Sequence, residues 1–364
     1  MSELQEARSL IEEQIEILKR RNREPEWMTK LRYKGLKAFL EAPHSDPILK
    51  DPLDFIVKGS EEVYPEVKSL DELPPEMLTL LDRLGIAEVE KKYVAGLAVQ
   101  SDTSIVLNEF LKAWRERGLI VESMEDAVRK YPVVKDLFMQ LFNPYESKLA
   151  AYHTAVWNGG IFLHIKSGLK VPMPLHLFFL IQNSAMAQAP HIIINAEPHS
   201  EIHLIEGCTA PILIRHSLHL DMTEAYIGDG AKIKLSVLQN WPEYVHTRPM
   251  TRAKIGRNAE FINTTVGLGT GKSNIANPKY WVDENGYVEL NGIILGKEDF
   301  YVDLGGEMHL QGRNAKGINA SKSVIMDRST VITRGIIRYE DLITKSQDPQ
   351  SIIQKLQEPV KKGR

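Results

Sequence analysis

The 364-residue sequence contains one cysteine, Cys208. One cysteine excludes an internal disulfide and points to a reducing compartment, where a lone thiol stays free. No run reaches the about 18 apolar residues that a bilayer-spanning helix requires. The start, Met1-Ser2-Glu3-Leu4-Gln5-Glu6, has no apolar signal-peptide core. The expectation is a cytoplasmic protein without a membrane partner. An excess of one charge is also missing: 45 basic against 48 acidic residues leave a net charge of −3. That balance gives no reason to expect nucleic acid or an anionic surface as a partner. No Gly-x-Ser-x-Gly elbow or Ser/His/Asp arrangement stands out. A phosphate loop is only imitated. In Val266-Gly267-Leu268-Gly269-Thr270-Gly271-Lys272-Ser273 the first required glycine is displaced by one and no amphipathic helix follows, so the stretch reads as a glycine-rich turn between strands that binds no nucleotide.

What is present divides the chain in two. Residues 1–150 read as a mainly helical domain. Leu4, Ala7, Ile11, Ile15 and Leu18 share one helical face, Ser2 and Gln5 have capping-box spacing, and Arg20 to Arg23 close the helix with a charge suited to its C-terminal dipole. Pro25 opens a second helical segment. Residues 42–66 read as irregular. Capping pairs at Ser69/Glu72 and Ser123/Asp126 announce further helices, with Gly85 a helix end and a helix over 108–117 ending at Gly118.

Near Ala155-Val156-Trp157-Asn158-Gly159-Gly160 the pattern changes to short apolar runs separated by Gly, Pro and Asn, as strands are. No strict repeat can be counted through Leu220. Beyond it, the turn pairs Gly230-Ala231, Asn258-Ala259, Gly286-Tyr287 and Asn314-Ala315 recur at equal intervals along the chain. A constant step in an all-strand region predicts a β-solenoid, with a β-sandwich carrying regular turns as the alternative. The strand region, 151–338, closes near Gly335, and 339–364 form a short polar tail.

Nine of the eleven histidines lie between His153 and His246, around Cys208. By strand parity His199 and His203 share a face, while Glu206 points the other way with Leu204 and Cys208. A three-ligand metal site built on these histidines, and a metal-dependent enzyme using it, is the reading this parity disfavours. His203 and His309 remain as candidate ligands beside Cys208. Cys208 itself is either a small buried side chain or a thiolate that carries sulfur or ligates iron.

Several motifs stand in a characteristic order: Ala155 to Gly160, Glu206-Gly207-Cys208-Thr209-Ala210-Pro211, Gln239-Asn240-Trp241, Ser321-Lys322-Ser323 and Arg334-Gly335. Together with Glu24-Pro25-Glu26-Trp27-Met28, Leu84-Gly85-Ile86-Ala87-Glu88 and Glu90-Lys91-Lys92, they resemble the SufB/SufD family of iron–sulfur cluster assembly scaffolds over residues 20–338. The resemblance implies a right-handed parallel β-helix behind a helical N-terminal domain and a non-enzymatic role. It implies pairing with a like scaffold through the β-helix, as homodimer or heterodimer, and an ABC-type ATPase partner, SufC, that hydrolyses the nucleotide. It further implies a sulfur donor and a transient iron–sulfur cluster as cargo, with Cys208 taking up sulfur beside Glu206 and with Gln239 and Trp241 on its route. Whether a flavin takes part is left open. Leu180 and Gln182 stand where the family has an arginine and an asparagine, and Thr251, beside Arg252, stands near a family lysine. The sequence also stops soon after Gly335, before the expected last strands, second cysteine and ATPase-docking helices. A SufD-like supporting subunit without cluster chemistry is therefore the alternative.

Overall fold

A computed structural model describes residues 3–44, 46–50, 53, 65–84, 94–269 and 271–340. From residue 161 onward the chain winds into a parallel β-solenoid of about six turns, with three strands per turn stacked into three sheets. The first sheet stacks Leu175–Leu180, Glu201–Thr209, Lys232–Asn240, Glu260–Gly269, Tyr287–Gly296 and Lys316–Ile325. The second stacks Ile161–Ile165, His191–Ala196, Met222–Ile227, Met250–Ile255, Lys279–Val282, Glu307–Leu310 and Ile336–Tyr339. The third holds the short strands from Ala187–Gln188 to Thr330–Thr333. The sheets enclose one continuous core, so the sandwich alternative is excluded.

Alternation builds that core, because strand side chains point inward at every second position. Parallel register then stacks like on like. Ile202, Ile233, Phe261 and Val288 form one inward row, and Leu204, Leu235, Asn263 and Leu290 the next. A left-handed residue ends each turn before the first sheet: Gly168, His199, Gly230, Asn258, Asn285 and Asn314 all have φ between 54° and 70°. Glycine and asparagine tolerate this conformation best, and this explains why they mark the repeat.

These positions shift one unit of the repeat. The member equivalent to Ala231, Ala259 and Ala315 is Gly286, and Asn285, not Gly286, supplies the positive φ. The register also shows why no repeat can be counted earlier. Phe162 pairs with Ile193 and His191 with Met222, and both of these steps are longer than the one from Met222 to its partner Met250.

Helices cover the first turns. Glu3–Asn22 buries Ala7, Ile11, Ile15 and Leu18, and Glu26–Glu41 follows Pro25. Both pack with Lys148–Val156 against the outside of the solenoid. Arg32 is fully buried at this junction. It pairs with Glu24 at 2.6 Å, donates to the Ala155 and Trp157 carbonyls, and lies 4.6 Å over the Trp157 ring. Paired and hydrogen-bonded in this way, a buried guanidinium is tolerated. Ser123 caps its helix through the Asp126 N–H at 3.2 Å, as its spacing predicts.

The segment 1–150 is less purely helical than expected. Gly96–Ser101 and Ser104–Phe110 form a hairpin that extends the first sheet, and Leu119–Ser123 extends the second. The helix expected over 108–117 is only Lys112–Arg117, because residues 104–110 pair as strand, although Gly118 does end it at φ 104°. The stretch read as a turn at 266–273 begins as strand: Gly267 pairs with Gln239 and Ile294. Likewise Ser273–Ala276 is strand, and Ile336–Tyr339 continues the solenoid past Gly335. Ser2, Gly85, most of 51–64 and the polar tail from 341 lie outside the described residues. Among the described residues, no helix is long and apolar enough to cross a membrane.

Candidate functional site in the solenoid core

Cys208 is inward-facing and fully buried in the strand Glu201–Thr209. Parity places it with Glu206, and the burial pattern of that strand agrees. Apolar neighbours, including Phe179, Ile181 and Ala210, belong to its core cluster. Its sulfur, however, meets polar atoms. Sγ lies 3.5 Å from Glu206 Oε1, to which it donates, and 3.8 Å from His219 Nε2. The reactive atoms of Glu206, Cys208 and His219 all lie within 4.8 Å of one another.

His219 is the member that sequence reasoning missed. It sits on the short strand Ser217–His219, one sheet away from Cys208, and no linear spacing links strands of different sheets. Its orientation is fixed from behind. Gln188 Nε2 donates to the Asp102 and Leu180 carbonyls, which leaves Gln188 Oε1 to accept from His219 Nδ1 at 2.9 Å. The hydrogen is thus on Nδ1, and Nε2 presents a lone pair to the thiol. Asp221 is the second missed member: its Oδ1 is buried, lies 3.4 Å from His219 Nε2 and has no hydrogen bond.

Burial dominates the electrostatics. It pushes the Cys208 thiol well above its ordinary range, reinforced by Glu206 and Asp221. It raises Glu206 to about 8, helped by Asp221, and Asp221 to about 7. It lowers His219 to about 3. Burial thereby favours the neutral form of all four groups.

Gln239 pairs directly with Cys208 on the next turn, and its Oε1 accepts from Asn274 at 2.7 Å. Trp241 lies against His219, ring centroids 4.9 Å apart, with its Nε1 buried and unpaired. The same indole lines a surface depression with Arg83, Arg215 and Glu243. The other candidates lie elsewhere. His203 faces outward and pairs with Ser236 at 3.0 Å. His309 stacks on Trp281 and pairs with Glu307 and Glu340, toward the far end of the solenoid. Neither shares a partner with Cys208. Leu180 is buried among apolar side chains, and Arg252 donates to the Leu141 carbonyl and Glu146.

A cavity of about 460 Å³ runs from this cluster along the solenoid interior. One inward row explains it: Glu206, Val237, Thr265, Gly292 and Ser321 stack in register and all line it. The row passes from larger to small and polar side chains, so the core is left unfilled there. Asp221 and Gln239 stand at its inner end, and Arg334 and Gly335 at its outer end.

A profile of the SUF system FeS cluster assembly SufBD core domain matches residues 179–351. An iron–sulfur cluster assembly SufBD family protein of Pyrococcus horikoshii is 68% identical over 346 residues, covering 94% of this chain and 78% of the relative. This chain belongs to the SufBD family of iron–sulfur cluster assembly proteins. Among more distant SufBD relatives, the iron–sulfur cluster assembly protein SufB of Bacillus subtilis is 28% identical over 342 residues, covering 91% of this chain and 72% of its own length. A SufBD family protein of Staphylococcus aureus strain MRSA252 is 29% identical over 340 residues, with the same coverages. The resemblance drawn from the ordered motifs is thereby borne out at the level of the family.

Proposed function

We propose that the chain is a non-enzymatic, cytoplasmic scaffold subunit of the SUF machinery that accepts sulfur at Cys208 and supports nascent cluster formation. The observation that carries this reading is a lone thiol set against an imidazole and against a carboxyl, Glu206, that lines an interior cavity. Sulfur arrives as a donor persulfide. The Cys208 sulfur attacks the outer sulfur of that persulfide, a new S–S bond forms, and the donor thiolate leaves with the electrons of the broken S–S bond. The step is an exchange without net oxidation. The thiol proton passes to the free lone pair of His219 Nε2, 3.8 Å away. The depression flanked by Arg83 and Arg215, with Trp241 between it and His219, is where an anionic persulfide approaches. Gln239 and the cavity beyond it lead sulfur toward Ser321 and Arg334.

One thiolate cannot hold a cluster. The remaining ligands come from a paired scaffold, a second copy or a SufB/SufD relative, joined through the solenoid. A SufC-type ATPase supplies nucleotide hydrolysis. Anaerobic incubation with ferrous iron, a persulfide donor and the ATPase is expected to give cluster absorbance that disappears in Cys208→Ser. No sulfur on the wild-type chain, together with no copurifying ATPase, would overturn the reading. A second reading, a SufD-like supporting subunit, is favoured by Leu180, an apolar side chain where the family carries an arginine. Unchanged assembly in cells carrying Cys208→Ser would select it.

A further inference from the structure

We propose that Glu206, Cys208, His219 and Asp221 form a mononuclear site for a divalent transition-metal ion, ferrous iron being the cargo the family's chemistry calls for. The inference rests on the reading of Cys208 as the reactive centre, but its argument is separate. Four atoms that can accept a hydrogen bond converge here: Cys208 Sγ, Glu206 Oε1, His219 Nε2 and Asp221 Oδ1. Gln188 holds the His219 hydrogen on the far nitrogen, so Nε2 turns a free lone pair toward the thiol and the two carboxyl groups. Asp221 is 4% exposed, and its Oδ1 faces Nε2 without a hydrogen bond. A buried acceptor without a donor costs about 1–3 kcal/mol, and a cation removes that cost.

The spacing is also compatible with a shared metal ion. Metal–sulfur bonds near 2.3 Å and metal–nitrogen or metal–oxygen bonds near 2.0–2.2 Å give tetrahedral edges of about 3.3–3.6 Å. The observed separations are 3.5 Å for Sγ to Oε1, 3.8 Å for Sγ to Nε2 and 3.4 Å for Nε2 to Oδ1. One thiolate, one imidazole and two carboxylates suit ferrous, cobaltous or zinc ions and are a poor match for calcium or magnesium. The ring is also supported as metal-bound histidines are, with its other N–H donated to a fixed acceptor, Gln188 Oε1. The site lies at the inner end of the cavity, which gives an ion a path inward. Iron held there meets sulfur at the atom that receives it.

Cobalt(II) is the probe, added anaerobically to the purified full chain. One equivalent is expected to bind with a thiolate-to-cobalt charge-transfer band and tetrahedral d–d bands. Cys208→Ser removes the charge-transfer band. Asp221→Asn and His219→Gln each weaken binding by at least about tenfold. If His219→Gln fails to fold, the near-isosteric Asp221→Asn decides alone. Absence of the band in the wild type, or unchanged affinity in Asp221→Asn, overturns the proposal. Sulfur loading, read by intact mass in metal-free buffer, separates the two readings. Sulfur taken up without cobalt binding sinks the metal site alone. Cobalt bound without sulfur uptake sinks the sulfur reading and leaves the metal site standing.

Discussion

The first turns of the solenoid and the last ones share a backbone and differ in what covers them. In the strands Leu175–Leu180 and His191–Ala196 both faces are almost wholly buried, because helices and the N-terminal hairpin lie outside the sheets. In Tyr287–Gly296 and Lys316–Ile325 the outer face meets solvent. The covered turns consequently hold buried polar networks, and the open turns hold exposed ion pairs stacked from one turn to the next. Near residue 191, His153 Nδ1 faces the Leu220 carbonyl at 3.0 Å, His153 Nε2 lies 3.1 Å from His191 Nδ1, and His191 Nε2 lies 3.1 Å from Glu224. On the open turns Arg313 pairs with Glu284 and Arg328 with Asp299. Covering a turn converts polar side chains from optional surface features into groups that need a partner.

Glycine changes give the sharpest contrast. A Cβ on Gly160 would stand 2.0 Å from the His191 carbonyl oxygen, and the residue has φ 96°. Gly160→Ala is expected to cost about 4 kcal/mol or more, or to abolish folded protein. On Gly292, in an open turn, the nearest atom is Ser321 Oγ at 3.2 Å. Gly292→Ala is expected to cost about 1 kcal/mol or less. Urea denaturation of both variants measures this, and equal losses would break the comparison.

Next in size is the buried network. Glu224 accepts from the Met139 and Leu141 backbone N–H groups and from Tyr226, tying the segment after Pro132–Leu137 to the solenoid. Glu224→Ala leaves those donors without their acceptor and His191 Nε2 without its partner, an expected loss of about 2–4 kcal/mol. A change below about 0.5 kcal/mol would show that water replaces the carboxyl.

The same network sets a pH dependence. The Leu220 carbonyl can only accept, so His153 carries its hydrogen on Nδ1 and its Nε2 accepts from His191 Nδ1. His191 Nε2 then shares a proton with Glu224. Burial lowers His153 well below its ordinary range and His191 to about 3, and raises Glu224 to about 7. For a histidine with a depressed folded value, the unfolded chain binds more protons below about pH 6.5, so stability falls with falling pH. For Glu224 the folded chain holds the extra proton, so that contribution is lost as pH rises from about 4.5 to 7. Two histidines outweigh one carboxyl below about pH 6.5. Thermal midpoints are expected to rise from about pH 4.5 to about 6.5 and to level off toward pH 7. Glu224→Gln should steepen that rise, because the opposing contribution of its carboxyl is gone, and an unchanged slope would refute the assignment.

The smallest effect belongs to the open turns. Arg328→Ala removes one exposed pair, which salt screens and water replaces. Its urea midpoint is expected to match that of the wild type, and a loss comparable to Glu224→Ala would erase the distinction between the two ends.

How much was legible follows from the same contrast. Where one face of a strand is wet, inward and outward residues differ in kind, so alternation and the repeat show in the sequence after residue 230. Where both faces are buried, runs such as Ile192-Ile193-Ile194 are uniformly apolar, and neither face nor repeat can be read from them. The hairpin at 96–110 is hidden for a related reason: its pairing is with Leu175–Leu180, far along the chain, while its local pattern competes with helix.

By itself the sequence pointed to a solenoid, marked Gly230, Asn258 and Asn314 as turn positions, and put Glu206 and Cys208 on one face of a strand. Each follows from a local rule, either period-two alternation or a residue type that a positive φ favours. Only the tertiary structure decided that His219 and Asp221 face the thiol. They come from a different sheet, and the angle between sheets, set by packing of the enclosed core, has no signature in spacing along the chain. The same packing leaves Thr265, Gly292 and Ser321 to open a cavity beside that thiol.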